Sequence, residues 1–405
     1  MKKALITITS GCYSSRTDFD LLRGLLISNG WKITTDIKEA ELVIVYTCAF
    51  IRAREDEAML IIRWIRSEKR KSAVVIVTGC LPAINKGRLE RAFKDITCIP
   101  ADRFSELEDA VGGKFRLQDV VLVKPSGSKV RNPGSEYYNP GYVLKDYMLR
   151  IGWGCSGKCS YCVIRRVFGS PRSRPESEIA AEYVNAVNSG YKKFVLVANE
   201  AGAYGADRDT DIVELLVVLN RICKDARFAI SNITPDKLKE ILPRLGRFLR
   251  KGVIWRINVP VQSASNRILG LMNRPYTGED FREVIRKILA MHPQIILETD
   301  VMLGFPSETR SEFYETIKLA EWLGRNKVFF QIFPYSRRPY TAAAGMPGQI
   351  ISKEKRRRFE IMNFLCSSYF VMKDGVMLAK WRKLSKARNI KAGVSRCLAA
   401  AEKIS

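Results

Sequence analysis

The 405-residue sequence contains one histidine, His292. Chemistry that needs several histidines, a His-rich metal site above all, is therefore excluded, and a single His near the end of a helical pattern reads as structural. Long apolar runs are also missing. None approaches the roughly 18 residues of a membrane-spanning helix, and the longest, 74–78 and 194–198, are strand-sized. The opening MKKALITITSGC lacks the apolar length and small-residue cleavage site of a signal peptide and reads as a first strand. A cytoplasmic protein with no membrane contact is expected. Acidic residues are scarce: 42 Asp+Glu face 68 Lys+Arg, a net charge of +26. A surplus this large favours a polyanionic partner, RNA first, over a basic surface that serves only solubility.

What is present is otherwise ordinary. The apolar share is 46%, the charged 27% and the aromatic 10%, which excludes a disordered or collagen-like chain. The length fits two or three domains at about 150 residues each. Over the first hundred residues, strand patterns at 4–8, 42–46 and 74–78 alternate with helical patterns at 18–28, 55–68 and 87–93. That spacing predicts βαβ units and a parallel sheet. Periodicity fades over 103–140, where Gly, Pro, Ser and Asn accumulate. A second α/β pattern follows, with strands at 147–151, 194–198, 229–233, 255–259, 297–302 and 327–332, and helices at 176–189, 210–224, 277–291 and 311–323. Repeats of this kind fit a full or partial (βα) barrel, with two doubly wound domains as the alternative. The expected organisation is an N-terminal unit at 1–123, a linker at 124–140, a barrel at 141–371 and a basic helical tail at 372–405. From Ile351 onward 14 Lys+Arg stand against 4 Asp+Glu, so +10 of the +26 lies there.

Ten cysteines are many for such a chain. A secreted disulfide framework does not suit 405 residues without a signal peptide. The run Cys155-Ser-Gly-Lys-Cys159-Ser-Tyr-Cys162 follows a strand directly. Three thiolates on a short loop, with no nearby His or fourth Cys, suit an open-site [4Fe–4S] cluster better than a four-ligand structural zinc. Cys12, Cys48 and Cys80 each follow the carboxyl end of a predicted strand, and in an open α/β sheet those ends share one crevice. They read either as a second converging ligand set or as three small buried apolar residues. Cys98, Cys223 and Cys366 read as packing residues, and Cys397, in the basic tail, as an exposed thiol.

These three-plus-three cysteines resemble, in order and separation, those of the radical S-adenosylmethionine (SAM) methylthiotransferases. Further segments match: NEAGAYGAD at 199–207, PVQSAS at 260–265 with MNRPYT at 272–277, DVMLGFPSET at 300–309, and FPYSRRPYTAA at 333–343. The resemblance runs from residue 1 to about 370. It departs from the family pattern in several places. Ser15 and Tyr46 stand where Asn is usual, Arg165 and Phe168 replace Pro and Arg after the triplet, and Ala264 and Ser307 replace glycines. The usual C-terminal β-barrel RNA-binding (TRAM) domain, expected after Ala344, is replaced by the basic helical stretch, so the resemblance is to a divergent member.

The resemblance implies two [4Fe–4S] clusters, on Cys155, Cys159 and Cys162 and on Cys12, Cys48 and Cys80, facing one cavity. SAM bound at the first open iron would give a 5′-deoxyadenosyl radical for hydrogen abstraction. A sulfur species at the second would be methylated by a second SAM and transferred. An external sulfur source and a one-electron donor such as flavodoxin or ferredoxin are implied as well. Tyr161, Asn199, Glu200, Gln262 and Ser263 are the candidates for holding SAM, with barrel-interior packing the alternative for Gln262 and Ser263. Tyr46 either lines the cavity or packs under the cluster. The leading substrate is C2 of a modified adenosine at tRNA position 37. A ribosomal protein or other peptide side chain is the alternative, and a non-catalytic iron–sulfur RNA-binding protein the lesser one.

Overall fold

The computed structural model describes residues 2–9, 12–116, 146–373 and 376–379. The linker expected at 124–140 lies outside them. The first unit runs β1 (Lys3–Ile8), α1 (Tyr13–Ser28), β2 (Lys32–Ile33), β3 (Leu42–Thr47), α2 (Arg52–Glu68), β4 (Val74–Gly79), α3 (Cys80–Ala92), β5 (Thr97–Cys98) and α4 (Phe104–Val111). Its five strands form a parallel sheet in the order β2-β1-β3-β4-β5. The central strand LVIVYT is buried at every position, as a parallel strand covered on both faces must be. Ile44 and Tyr46 face Phe19 and Leu22 of α1, while Val43 and Val45 face Ala58 and Ile62 of α2.

The second unit opens with β6 (Tyr147–Arg150). A two-stranded antiparallel ribbon, β7 (Gly152–Trp153) and β8 (Arg172–Ser173), then brackets α5 (Ile164–Phe168). Next come α6 (Glu176–Asn188), β9 (Lys193–Val197), α7 (Ile212–Ile222), β10 (Arg227–Ile230), α8 (Pro235–Arg250) and β11 (Ile254–Asn258). The unit ends with α9 (Asn266–Leu271), α10 (Gly278–Met291), β12 (Ile296–Leu303), α11 (Arg310–Arg325) and β13 (Phe329–Pro334). Six parallel strands in the order β13-β12-β11-β10-β9-β6 make a partial barrel. Alternation sorts its side chains. Tyr147, Leu149, Phe194, Leu196, Phe228 and Ile230 join the core beneath the helices. Met148, Val195, Val197 and Ala229 turn to the inner face, where Tyr13, the first residue of α1, packs on them. The N-terminal unit thus covers part of the barrel's inner face.

Two expectations need correction. Periodicity fades after residue 103, yet Phe104–Val111 is a helix that buries Leu107 and Val111 four residues apart, and Val111 O accepts from Trp31 Nε1 at 3.3 Å. The chain from Ile351 was expected to be helical throughout. After α12 (Ala342–Gly345) and α13 (Ser352–Tyr369), however, β14 (Phe370–Lys373) and β15 (Val376–Ala379) pair as an antiparallel hairpin. Asp374-Gly375 between two β-rich runs is a strong hairpin signal, which the basic charge of the region obscured. No helix among the described residues is long and apolar enough to cross a membrane.

Candidate iron–sulfur and SAM site

Cys12, Cys48 and Cys80 stand at the carboxyl ends of β1, β3 and β4, which are adjacent in the sheet. Cys12 is the N-cap of α1: its Sγ accepts from Ser15 N at 3.4 Å and lies 2.9 Å from Ser15 Oγ. The serine that departs from the family pattern therefore sits against this sulfur. The Cys48 N–H donates to Thr9 Oγ1 at 3.0 Å. Cys80 opens α3 behind Gly79, whose φ is +93° and where a side chain would overlap the Thr47 carbonyl oxygen. Only glycine lets the ends of β3 and β4 approach this closely. Thr47 Oγ1 ties them together, donating to Thr78 O at 2.6 Å and accepting from Leu81 N at 3.3 Å. Burial pushes the Cys80 thiol far up, and the nearby charges of Cys48 and Cys12 push it further. Cys48 and Cys80 are buried while Cys12 is exposed, and thiols brought together in this way would become thiolates beside a positive group such as the irons of an iron–sulfur cluster.

The second triad is built on the loop after β7. Gly154 N donates to Asn199 Oδ1 at 3.0 Å, which fixes the loop's start. Gly157 N donates to Cys155 Sγ at 3.3 Å, and Ile164 N to Cys162 Sγ at 3.5 Å. A methyl group at Gly157 would lie 3.3 Å from Cys155 Sγ and 3.6 Å from Cys159 Sγ, so the glycine keeps open a cradle flanked by two sulfurs. Burial raises the Cys155 thiol to about 11 and the Cys162 thiol to about 12, and neighbouring thiols in the triad add to both shifts. The loop is anchored from outside. Ser160 Oγ donates to Leu271 O at 2.8 Å, Ser160 N to Met272 O at 3.0 Å, and Asn273 Nδ2 to Lys158 O at 2.8 Å. Among the described residues, no group of three or more His, Cys, Asp or Glu side chains is placed to hold a single metal ion. In a polynuclear cluster each sulfur meets a different iron, so a cluster makes a different demand on three cysteines than a single ion does.

The candidate SAM residues fall in two groups. Tyr161 is buried, and its hydroxyl accepts from Arg274, whose guanidinium lies 5.6 Å from the Tyr161 ring and 5.8 Å from the Tyr276 ring. Glu200 is buried and accepts from Gly202 N and Thr234 N, both at 3.2 Å, yet burial still raises its carboxyl to about 7. Glu200 and Arg274 both act electrostatically on Cys155, which brings Tyr161, Glu200 and the triad into one neighbourhood. Gln262 is buried in left-handed backbone at φ +72°, and its Oε1 has no hydrogen-bond partner among the described residues. Ser263 is different: its Oγ accepts from Ser265 N at 3.2 Å, a turn-stabilising contact that matches the packing alternative. Asn199 acts on the loop backbone rather than standing free.

Arg274 was missed as a functional residue, although it lies in the MNRPYT run. Its Nε is buried without a hydrogen-bond partner among the described residues, and its charge lowers the thiols of Cys155 and Cys162. The carboxylates on β12 were missed as well. Asp300 is raised to about 7 by burial and by Glu298 two residues away, and Glu298 lies 3.9 Å from Arg256. Arg256 in turn lies 5.3 Å from the Tyr13 ring, beside Cys12 in the chain. The raised Asp300 carboxyl gives a signed pH dependence. The stability that comes with its protonated form is present below the usual carboxylate range and is lost as pH rises through about 7. Asp300→Asn, held neutral, is expected to melt above the wild type at pH 8, with the gap closing toward pH 4. Thermal midpoints of the cluster-free protein would check this.

The elements that carry the two triads pack together. α5, which begins two residues after Cys162, packs on α3, which begins at Cys80, and Val163, Val167 and Phe168 share one core with Cys80, Leu81 and Ile84. Two buried ion pairs lock the units together. Asp18 of α1 takes Arg150 of β6 and accepts from the buried Tyr46 Oη at 2.6 Å. Glu55 of α2 takes Arg338 from the segment after β13, and also Arg88 at 2.5 Å and Asn85 at 3.0 Å.

The chain is similar to known proteins over most of its length. A profile described as the radical SAM superfamily matches residues 149–320, and one described as uncharacterized protein family UPF0004 matches residues 4–100. The tRNA-2-methylthio-N(6)-dimethylallyladenosine synthase of Alkaliphilus oremlandii is 30% identical over 369 residues, 88% of this chain and 76% of that one. The ribosomal protein uS12 methylthiotransferase RimO of Chlamydia pneumoniae is 28% identical over 374 residues, covering 89% and 77%. Among solved structures, the radical SAM methyltransferase TsrM of Kitasatospora setae, with cobalamin and a [4Fe–4S] cluster bound, superposes with a TM-score of 0.62. It covers 85% of this chain and 77% of its own at 16% identity, a likeness of fold alone. The fold and the matched radical SAM profile define a radical SAM enzyme, a class that uses a [4Fe–4S] cluster and SAM. More narrowly, the chain belongs to the radical SAM methylthiotransferase family.

Proposed function

We propose that this methylthiotransferase acts on tRNA, at C2 of a modified adenosine at position 37. The net charge of +26 carries the reading. Phosphate neutralisation by Lys and Arg supplies sequence-independent affinity for RNA, and an enzyme for a small peptide has no need of such a surplus. The relative from Alkaliphilus, named for a tRNA product, supports it. Cys155, Cys159 and Cys162 would hold the cluster that binds SAM, and Cys12, Cys48 and Cys80 a second cluster carrying the sulfur. When bound, these groups supply reductive SAM cleavage for hydrogen abstraction, and the methylated sulfur that replaces the hydrogen. The chain's part is placement. Gly79 and Gly157 leave room, the loop anchors hold the sulfurs, and Arg274 keeps a fixed positive charge beside them. One SAM would serve each half of the turnover, with an external sulfur source and a one-electron donor.

The name of the Chlamydia relative favours a second reading, a ribosomal protein side chain. Mass spectrometry of nucleosides from bulk tRNA, in a host with and without the gene, separates the two. The tRNA reading expects a methylthio-adenosine that disappears with the gene and returns with the wild type but not with Cys12→Ala. An unchanged nucleoside profile would favour the protein substrate.

A further inference from the structure

The segment between β13 and α12 bridges the two units. Arg338 is buried against Glu55 of α2. Ala343 donates its N–H to Ser160 O at 2.8 Å, inside the turn between Cys159 and Cys162. Between these anchors Tyr340 is 72% exposed and has left-handed backbone, with φ +64°. That conformation is unfavourable for any residue with a Cβ, and an exposed ring regains little through burial. Neither local backbone preference nor packing accounts for a tyrosine here. One of its faces is covered: the Arg166 guanidinium lies 3.8 Å from the ring centroid. Arg166 belongs to α5, four residues after Cys162, and is itself exposed. Arg165, directly before Arg166, and Arg337, three residues before Tyr340, are exposed as well, and none of these three arginines makes an ion pair among the described residues. An open aromatic face, backed by a cation and with two further exposed cations close by in sequence, therefore stands where the N-terminal unit meets the cysteine loop.

We infer that Tyr340, backed by Arg166, is a stacking platform for an unpaired nucleobase of the RNA substrate, with Arg165 and Arg337 meeting the adjoining phosphates. The inference rests on the tRNA reading above and adds a site to it. Sequence-tolerant RNA binding combines these two components, stacked aromatics and a cationic track. Strain kept at an exposed position is a mark of function. A protein loop would gain less from a flat ring on a guanidinium than a base does, because every base offers a π-face.

The test is binding of an anticodon stem-loop, with 2-aminopurine next to the target adenosine, to the reconstituted anaerobic enzyme. Tyr340→Gly removes the ring and suits the left-handed backbone. It is expected to melt no lower than the wild type, to raise the stem-loop Kd and KM about 10-fold, and to lose the 2-aminopurine quenching. Tyr340→Trp is expected to restore both affinity and quenching, and Arg166→Gln to weaken binding in part. A Tyr340→Gly enzyme that binds and quenches like the wild type would overturn the platform while leaving the tRNA reading in place. A Tyr340→Gly enzyme that melts lower and binds normally would show the ring to be structural. A wild type that ignores the stem-loop but modifies a ribosomal protein peptide would overturn the tRNA reading, and this inference with it.

Discussion

Replacing Cys48 with alanine is expected to stop methylthio transfer while 5′-deoxyadenosine still forms from SAM, whereas Cys159→Ala stops both. The expectation comes from how differently the two triads are built. Cys155, Cys159 and Cys162 lie on one loop, held by Asn199, Leu271, Met272 and Asn273, all from the barrel unit. Cys12, Cys48 and Cys80 come from three strand ends of the other sheet, held by Thr9, Thr47 and Gly79. Removing a ligand from one leaves the supports of the other in place. Iron content is expected to fall by about half in either variant, as the proposed arrangement of one cluster on each set of three cysteines requires. The checks are iron per chain, chromatographic 5′-deoxyadenosine and product mass. A Cys48→Ala protein that loses all its iron and all SAM cleavage would mean that the six cysteines act as one site.

Asp18→Ala is expected to cost about 3–5 kcal/mol, because it leaves the Arg150 guanidinium buried and uncompensated. Asp18 and Arg150 are both almost wholly buried. Arg150 also donates to Ser14 O at 2.7 Å and to Ser14 Oγ at 3.2 Å, and stacks 5.4 Å from the Trp153 ring. The Tyr46 hydroxyl would lose its acceptor as well. Against a total stability of about 5–15 kcal/mol, the loss is large. Asp18→Ala combined with Arg150→Met is expected to recover much of it, since an apolar replacement of a buried pair is often close to neutral. Denaturant midpoints of the two single variants and the double variant would measure the coupling. A single variant within about 1 kcal/mol of the wild type would show that the pair does not hold the units together.

Much of this was legible in the sequence, because parallel strands announce themselves as apolar runs. Leu42–Thr47, Val74–Gly79 and Lys193–Val197 begin or end within a residue or two of their expected limits. The cysteines could be placed because each follows such a run. Other features have no local signal. Glu55 and Arg338 are 283 residues apart, so nothing near either one marks the other as its partner. Asp18 reads as a polar helix residue until β6 brings Arg150 to it. α1 also begins earlier than the pattern at 18–28, because Cys12 caps it and the Ser- and Thr-rich first turn hides its periodicity. Tyr340 lies in a recognisable run, but neither its exposure nor its backbone can be read from composition.

The most direct test of the account is a single-vessel reaction. Reconstituted enzyme is given a reductant, a sulfide source, SAM labelled with deuterium on its methyl group, and an anticodon stem-loop carrying N6-isopentenyl-adenosine at position 37. This nucleoside is expected to gain a methylthio group with the labelled methyl, while 5′-deoxyadenosine accumulates. Formation of 5′-deoxyadenosine with no mass gain on the isopentenyl-adenosine stem-loop or on its threonylcarbamoyl counterpart would contradict it.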